Sequence, residues 1–318
     1  MTAKHQHYVY RYYLEKFVAE GKTFWVYDKK TGECRAQTPK NTAAETHIYS
    51  FEKDDGTKDD QLETKLFTPV ENDAKSILDR WAREECVPTQ EEIGIMLVFL
   101  ALTHIRIPRH MAESKELAEK AALQILKDRV TNSEKFKEMW KGKTPWEETQ
   151  RKILAFDESN ISLRKNTALS FNLTSFEFLC LQLAQMSWAI CSVPEKKFLV
   201  TSDSPLNVRA IKPNGKIVYG SGYGLQSVQI VFPLSPRKCV FLSHNEPQIL
   251  GRACLKAQAL DEFNRRCIFM ADRFVISPFK SNHIKRLFEK YSETYGKPRI
   301  ELQQAGNLIK VSPSEYDL

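Results

Sequence analysis

Two histidines near the start of the chain, His5 and His7, are the first residues whose types and spacing could serve chemistry. On a helix, residues two apart point about 200° away from each other and cannot share a metal ion. On an extended segment they face the same side. Helical periodicity begins only at Tyr10, so we expect an extended lead with both imidazoles near one ligand. The alternative is that His7 bonds a backbone group at the helix start while His5 is frayed.

Two glutamates, Glu63 and Glu71, are eight residues apart in a segment with helical periodicity. They differ by about 80° around a helix axis and therefore share a broad face. Because their neighbours are apolar, each carboxylate needs a cation or a hydrogen-bond donor, which we expect from Arg106 and Arg109. Networks of this kind are most often structural. The same carboxylates could instead hold a divalent metal or act as acid and base.

Asp203 follows a strand that we predict for Lys197–Thr201 and precedes Pro205. An acid just past a strand end is a frequent position for a functional carboxylate, and it is equally frequent in Asx-turns. The neighbouring serines lack the Gly-x-Ser-x-Gly elbow of serine hydrolases. The seven cysteines have no C-x-x-C spacing, so we expect neither a zinc ribbon nor a redox pair. They are expected to be small buried residues in a reducing compartment.

The elements that position these side chains predict an α+β protein, mainly helical, with two buried central helices and a small, mostly antiparallel sheet. Thr89–Glu92 and Thr174–Glu177 both have the form of a capping box, each before an apolar helix, ending near Ile105 and Cys191 respectively. Pro69 predicts a kink or split in the helix that begins near Asp60. We further predict a hairpin at 23–38, a helical insertion at about 111–170, a β-rich part at about 195–276 with strands at 197–201, 227–232, 238–242 and 267–269, and helices at 248–266 and 282–295.

Bulk properties limit the class of protein. The chain has 318 residues, 42% of them hydrophobic, and a formal net charge of +7. We expect a single domain over 1–318 that buries a substantial core. No apolar leader is present at the N-terminus and the longest apolar run is shorter than the roughly 20 residues that span a bilayer, so we expect a cytoplasmic protein without a membrane partner. The charge permits nucleic-acid binding. However, the basic residues are scattered, and the densest run, Lys135–Lys143, is expected to be a solvated face.

The opening segment from His5 to Phe17 resembles that of a family of microbial proteins known as domain of unknown function 4238. The family pattern is His-Tyr-Val-Pro followed by Tyr-Leu and Phe, with Tyr10 standing here in place of the proline. Further features occur in the family's order at Trp25–Asp28, Glu45 with Tyr49, Glu63 with Glu71, Arg106–Pro108, Thr201–Pro205, Pro233–Pro236 and Asn264. Thr103 departs from the expected glutamine. The resemblance implies a shared fold and a set of positions, but no settled reaction.

Two functional hypotheses follow. The first is an intracellular enzyme that hydrolyses phosphodiesters with Mg²⁺ or Mn²⁺, in a defence or mobile-element context. The second is a non-catalytic regulatory protein that binds nucleic acid or a partner protein, with the same residues forming a structural polar network. In the first hypothesis the catalytic residues are His7, Glu63, Glu71 and Asp203, the metal ligands are His5, His7, Glu63 and Asp203, and the phosphate-binding residues are Arg11, Arg106 and Arg109.

Overall fold

The computed structural model describes residues 5–19, 21–220, 222–244, 251–292, 301–305 and 308–312, and it has an α+β fold. The helices are α1 (Arg11–Glu15), α2 (Thr68–Arg83), α3 (Gln90–Ile105), α4 (Pro108–Asn132), α5 (Glu134–Met139), α6 (Trp146–Leu154), α7 (Lys165–Ala184), α8 (Ala257–Met270) and α9 (Asn282–Tyr291). Short 3-10 turns cover Pro39–Asn41 and Glu158–Asn160. In the described part of the chain, no helix is both long and apolar enough to cross a membrane.

The strands form two larger sheets and three hairpin-sized ones. The first eight are β1 (His5–His7), β2 (Phe24–Asp28), β3 (Cys34–Gln37), β4 (Ala44–Thr46), β5 (Phe51–Glu52), β6 (Lys58–Asp59), β7 (Ser187–Ser192) and β8 (Thr201–Ser202). The others are β9 (Asn207–Ile211), β10 (Ile217–Tyr219), β11 (Gln229–Ser235), β12 (Lys238–Ser243), β13 (Gly251–Cys254), β14 (Phe274–Ser277), β15 (Glu301–Ala305) and β16 (Leu308–Ser312).

The six-stranded sheet has the order β10-β9-β11-β12-β7-β13, and the four-stranded sheet has the order β3-β2-β14-β8. Strands β1 and β4, β5 and β6, and β15 and β16 form separate pairs. All described pairs are antiparallel except that of β13 with β7. The predicted antiparallel character is therefore confirmed, and the predicted hairpin at 23–38 is the pair β2–β3.

Helix α3 begins with the predicted capping box. The Thr89 hydroxyl accepts from the Glu92 amide, and the Glu92 carboxylate accepts from the Thr89 amide. Because its sequence is apolar on nearly every side, burial rather than amphipathicity stabilises it, and it packs against α2 and α7. One hydrophobic cluster runs from Tyr8 to Ile276 and joins these helices to the six-stranded sheet.

The start of α2 is irregular, as Pro69 predicts. Residues Leu62–Phe67 are wound as a π-helix, and Pro69 occupies the first turn of the α-helix that follows. An α-helix tolerates proline in its first turn. The amides of that turn have no acceptor within the helix, so the missing amide hydrogen of proline costs no hydrogen bond there. The wider winding places Glu63 on a segment that does not follow the 3.6-residue period assumed from the sequence.

Several predicted boundaries were wrong. Thr174–Glu177 lies inside α7, and the chain from Ser187 onward is strand β7 rather than helix. Residues 267–269 belong to α8, and the strand predicted at 197–201 begins only at Thr201. The helix predicted at 248–266 begins at Ala257, with 245–250 outside the described residues. Short apolar runs suit a buried strand as well as a buried helix, so their periodicity cannot separate the two.

Candidate functional site

The N-terminal histidines lie on an extended segment, as predicted. Strand β1 pairs with β4, and the rings of His5 and His7 meet edge to face with centroids 5.8 Å apart. His7 Nε2 lies 3.3 Å and 3.2 Å from the carbonyl oxygens of Pro39 and Lys40. Burial is the main cause that lowers the pKa of His7. The backbone contact expected of a structural His7 is therefore present, while His5 is exposed.

The orientation of Gln6 explains why His5 and His7 do not lie next to the buried carboxylates. It is buried, and its side chain points to the opposite face of the strand from its two neighbours. Its Oε1 accepts from the Tyr49 amide at 2.9 Å, and its Nε2 donates to Ser50 and Asp60 at 3.4 Å. The buried face of β1 therefore anchors the segment that leads into the π-helix.

Arg106, at the end of α3, connects this helix and α2 to the N-terminal segment. Its side chain is only 2% exposed. Its Nη1 pairs with Glu71 Oε1 at 2.5 Å, and its Nε donates to the Tyr8 carbonyl at 3.1 Å. The Tyr49 hydroxyl donates to the Arg106 carbonyl at 2.5 Å, and the guanidinium lies 5.6 Å from the centre of the Phe67 ring. The predicted Glu–Arg network thus exists between Glu71 and Arg106.

Glu63 lies beside this pair. The pKa of Glu63 is raised to about 7, mainly by burial; Arg106 lowers it, and the nearby carboxylates of Glu71 and Asp60 contribute to the rise. Within the described part of the chain, Glu63 Oε2 and Arg106 Nη2 are buried atoms without a hydrogen-bond partner. Glu63, Glu71 and Arg106 are thus the predicted residues that the structure does bring together.

Asp203 has a different role in the fold. Its side chain is buried and accepts from three consecutive amides, those of Asp272 (2.9 Å), Arg273 (2.7 Å) and Phe274 (2.8 Å). The pKa of Asp203 is raised to about 7, mainly by burial and also by the nearby Asp272, while the three amide hydrogen bonds lower it. The carboxylate therefore fixes the turn that leads into β14.

The two other predicted arginines have local partners. Arg11 bonds Glu15 at 3.1 Å on the exposed side of α1, and Arg109 bonds Glu113 at 2.7 Å within α4. The predicted site residues therefore fall into separate groups with separate partners. Over the described ranges, no three His, Cys, Asp or Glu side chains are grouped so that they could hold a metal ion.

A different feature gathers positive charge on the surface. A groove of about 910 Å³, here named the basic groove, is bordered by α1, the turn between β7 and β8, the turn between β11 and β12, and the segment between β14 and α9. Among the described residues that line it there is no carboxylate. Its cationic residues are Lys16, Lys196, Lys197, Arg237 and Lys280, of which Lys16 is ion-paired with Asp79 of α2.

Arg237 fixes the position of the turn that carries Lys196 and Lys197. Its Nη1 donates to the carbonyl oxygens of Pro194 (3.0 Å) and Lys197 (2.6 Å), so the turn of the β11–β12 hairpin is tied to the connection between β7 and β8. Lys196 has a positive φ of 60°, and both Lys196 and Lys197 are exposed. Across the groove, the Lys280 ammonium lies 5.0 Å from the centre of the Trp25 ring. The cations thus rest on ordered backbone rather than on a frayed loop.

An aromatic pair lies among these cations. Phe279 is 48% exposed and meets Phe198 edge to face, with ring centroids 5.5 Å apart. Next to it α9 begins, where the Ser281 hydroxyl accepts from the Ile284 amide at 3.3 Å. A helix N-terminus favours negative charge. The groove therefore offers cations, a helix N-terminus and an exposed ring face side by side.

Sequence reasoning missed this groove because its residues come from segments far apart in the chain. The weak local signal was the adjacent pair Lys196–Lys197 in a predicted loop. The run Lys135–Lys143, which is densest in sequence, instead lies on and after the exposed helix α5.

Fold and site together define an α+β protein with a buried carboxylate–arginine network and a basic surface groove. The chain belongs to the family described as "Protein of unknown function (DUF4238)", whose model matches residues 5–281. This confirms the family suggested by the N-terminal motif. A comparison with curated proteins found no match. A comparison with solved structures found none either.

Proposed function

We propose that this protein binds single-stranded nucleic acid in the basic groove and that the buried polar network has a structural role. The observation that carries the proposal is the meeting of four cationic side chains, those of Lys196, Lys197, Arg237 and Lys280, with an exposed phenylalanine in one groove. Regularly spaced phosphates attract such a set of cations, and the net charge of +7 adds a favourable field.

The exposed ring favours single strands over duplex. Bases of a single strand are free to stack on an aromatic side chain, which contributes about 1–3 kcal/mol per base, whereas duplex bases are already stacked. Phe279 packs edge to face with Phe198 and is still 48% exposed, which leaves ring surface for such a base. Binding through phosphates and one stacked base predicts little sequence preference.

The buried groups support the non-catalytic hypothesis over the metal-dependent phosphodiesterase. Glu71 already pairs with Arg106, and Asp203 already accepts three amides. A catalytic metal site needs several ligands together and an open coordination position. The hydrolase remains a proposal with less support, because its carboxylates have separate structural partners.

The test is fluorescence anisotropy with a labelled oligodeoxythymidine and with a labelled duplex. We expect the single strand to bind more tightly. Replacing Lys196, Lys197 and Lys280 with alanine should reduce the slope of log K against log salt by about 2, at about 0.7 per lost phosphate contact. Phe279→Ala should weaken single-strand binding by about 1–3 kcal/mol and leave the salt slope unchanged.

A matched control removes three lysines elsewhere. Lys135, Lys137 and Lys143 lie on the exposed α5 region, so their replacement with alanine changes the net charge equally but leaves the groove intact. Equal loss of binding in both triple variants would show nonspecific attraction and overturn the proposal. Incubation of the oligonucleotide with Mn²⁺ separates the hydrolase. Cleavage abolished by Glu63→Ala would support that enzyme instead.

A further inference from the structure

Two cysteines that are far apart in sequence face each other across neighbouring strands. Cys191 on β7 is the direct partner of Cys239 on β12, within an unbroken antiparallel register from Lys238–Ser192 to Ser243–Ser187. Cross-strand partners point to the same face of a sheet. Both side chains are buried in one hydrophobic cluster, and each thiol interacts with the other.

We propose that Cys191 and Cys239 form a reversible oxidation site, where a peroxide converts the two thiols into a disulfide. Opposed residues of antiparallel strands have Cα atoms about 4.5–5.5 Å apart, inside the range of about 4.4–6.8 Å found for disulfides. Their Cβ atoms, about 4.5–5.5 Å apart in such pairs, need only a small approach to reach the 3.5–4.5 Å of a disulfide. The bond therefore forms without a change in strand pairing.

The chemistry balances with one molecule of peroxide. The thiolate of one cysteine attacks a peroxide oxygen, and the O–O bond breaks to give a sulfenic acid and one water after proton transfer. The second thiol then attacks the sulfenic sulfur, forming the S–S bond and releasing the second water. Contact with Cys239 lowers the pKa of Cys191, while the same contact and burial raise that of Cys239.

The two cysteines are close in sequence to residues that line the basic groove. Cys239 follows Arg237 by two residues, and Cys191 is the last residue but one of β7, the strand that leads into the turn with Lys196 and Lys197. A disulfide would link the bases of the two turns that Arg237 already joins by hydrogen bonds. The proposal stands whether or not the groove binds nucleic acid, because it concerns the thiols alone.

Other cysteines serve as internal controls. Cys254 is exposed on β13, but its cross-strand partner is Ser192, so it faces no thiol there. Cys267 is buried beside Ser202 and Asn207. Oxidation that follows exposure alone would therefore modify Cys254 first, whereas oxidation that follows pairing produces one defined cross-link.

The experiment treats the full folded chain with hydrogen peroxide, blocks remaining thiols with iodoacetamide after unfolding, and maps the peptides by mass spectrometry. We expect a cross-linked pair of peptides containing Cys191 and Cys239, with two hydrogen atoms fewer than the two reduced peptides together. Dithiothreitol should convert this pair back into the two peptides with free thiols. Cys254→Ala should keep it, and Cys191→Val, which preserves volume, should lose it. The proposal is overturned if Cys254 is fully oxidised while both paired cysteines are still alkylated, or if the cross-link arises only in urea.

Discussion

Glu63 provides the sharpest test of the buried network, through the substitution Glu63→Gln. Burial raises the pKa of this carboxyl from 4.5 to about 7, so the folded state binds its proton more tightly than the unfolded chain does. The free energy of unfolding should therefore fall as the pH rises from 4.5 towards about 7. Above that range the decrease caused by ionising Glu63 should be complete. Glutamine resembles the protonated acid in shape and does not titrate.

The magnitude follows from the same pKa values. At about 1.4 kcal/mol per pH unit, a rise from 4.5 to about 7 corresponds to at most about 3.5 kcal/mol. Glu63 is only partly buried, so solvent screening reduces the expected effect to about 1–2 kcal/mol. We expect the glutamine variant and the native chain to be similarly stable below about pH 4, where the carboxyl is mostly protonated in both folded and unfolded states, and the variant to be more stable by that amount at about pH 8.

Urea unfolding, followed by the fluorescence of the buried Trp81 and Trp188, measures this difference at several pH values. Asp203 contributes equally to both chains, so subtracting the two curves isolates Glu63. The exposed Glu177→Gln controls for the general loss of a negative charge. A difference between variant and native chain that is the same at both ends of the pH range would refute the reasoning, because it would mean that the pKa of Glu63 is the same in the folded and unfolded states.

Two further substitutions test the structural reading of the other predicted residues. Asp203→Asn leaves one oxygen for three amide donors, so we expect a loss of about 1–3 kcal/mol in urea unfolding, with oligonucleotide binding by the folded fraction unchanged. Lost binding without lost stability would argue that Asp203 contacts the ligand. Arg106→Met should cost about 3–5 kcal/mol by leaving Glu71 buried and unpaired. Adding Glu71→Gln should recover part of that loss, and an additive double variant would contradict the pairing.

Much of the local structure could be predicted from short-range patterns. The Thr89 capping box, the turn between β2 and β3 and the extended lead to Tyr10 each depend on residues a few positions apart. Such signals persist in the folded chain because neighbours in sequence remain neighbours in space. The second capping box failed for the same reason: Thr174 has the right local sequence, but packing of α7 against α3 and α4 continues the helix through it.

The candidate site was predicted less completely. Sequence indicated that Glu71 needs a cation and that Arg106 could supply it, and this pairing is present. It could not indicate that Gln6 faces the network while His5 and His7 face away, since that depends on how β1 pairs with β4. The sequence also could not show that three consecutive amides already occupy Asp203.

The sequence alone determined the family, the α+β class and the chemical types of the polar residues, because these depend on composition and on order along the chain. Only the tertiary structure decided which of them meet. The lysines judged to be scattered converge in the basic groove because three separate turns end at one side of the molecule. The cysteines judged to be unpaired face each other because β7 and β12 share a register. Neither result can be predicted from spacing along the chain, because the fold brings together residues that are far apart in the sequence.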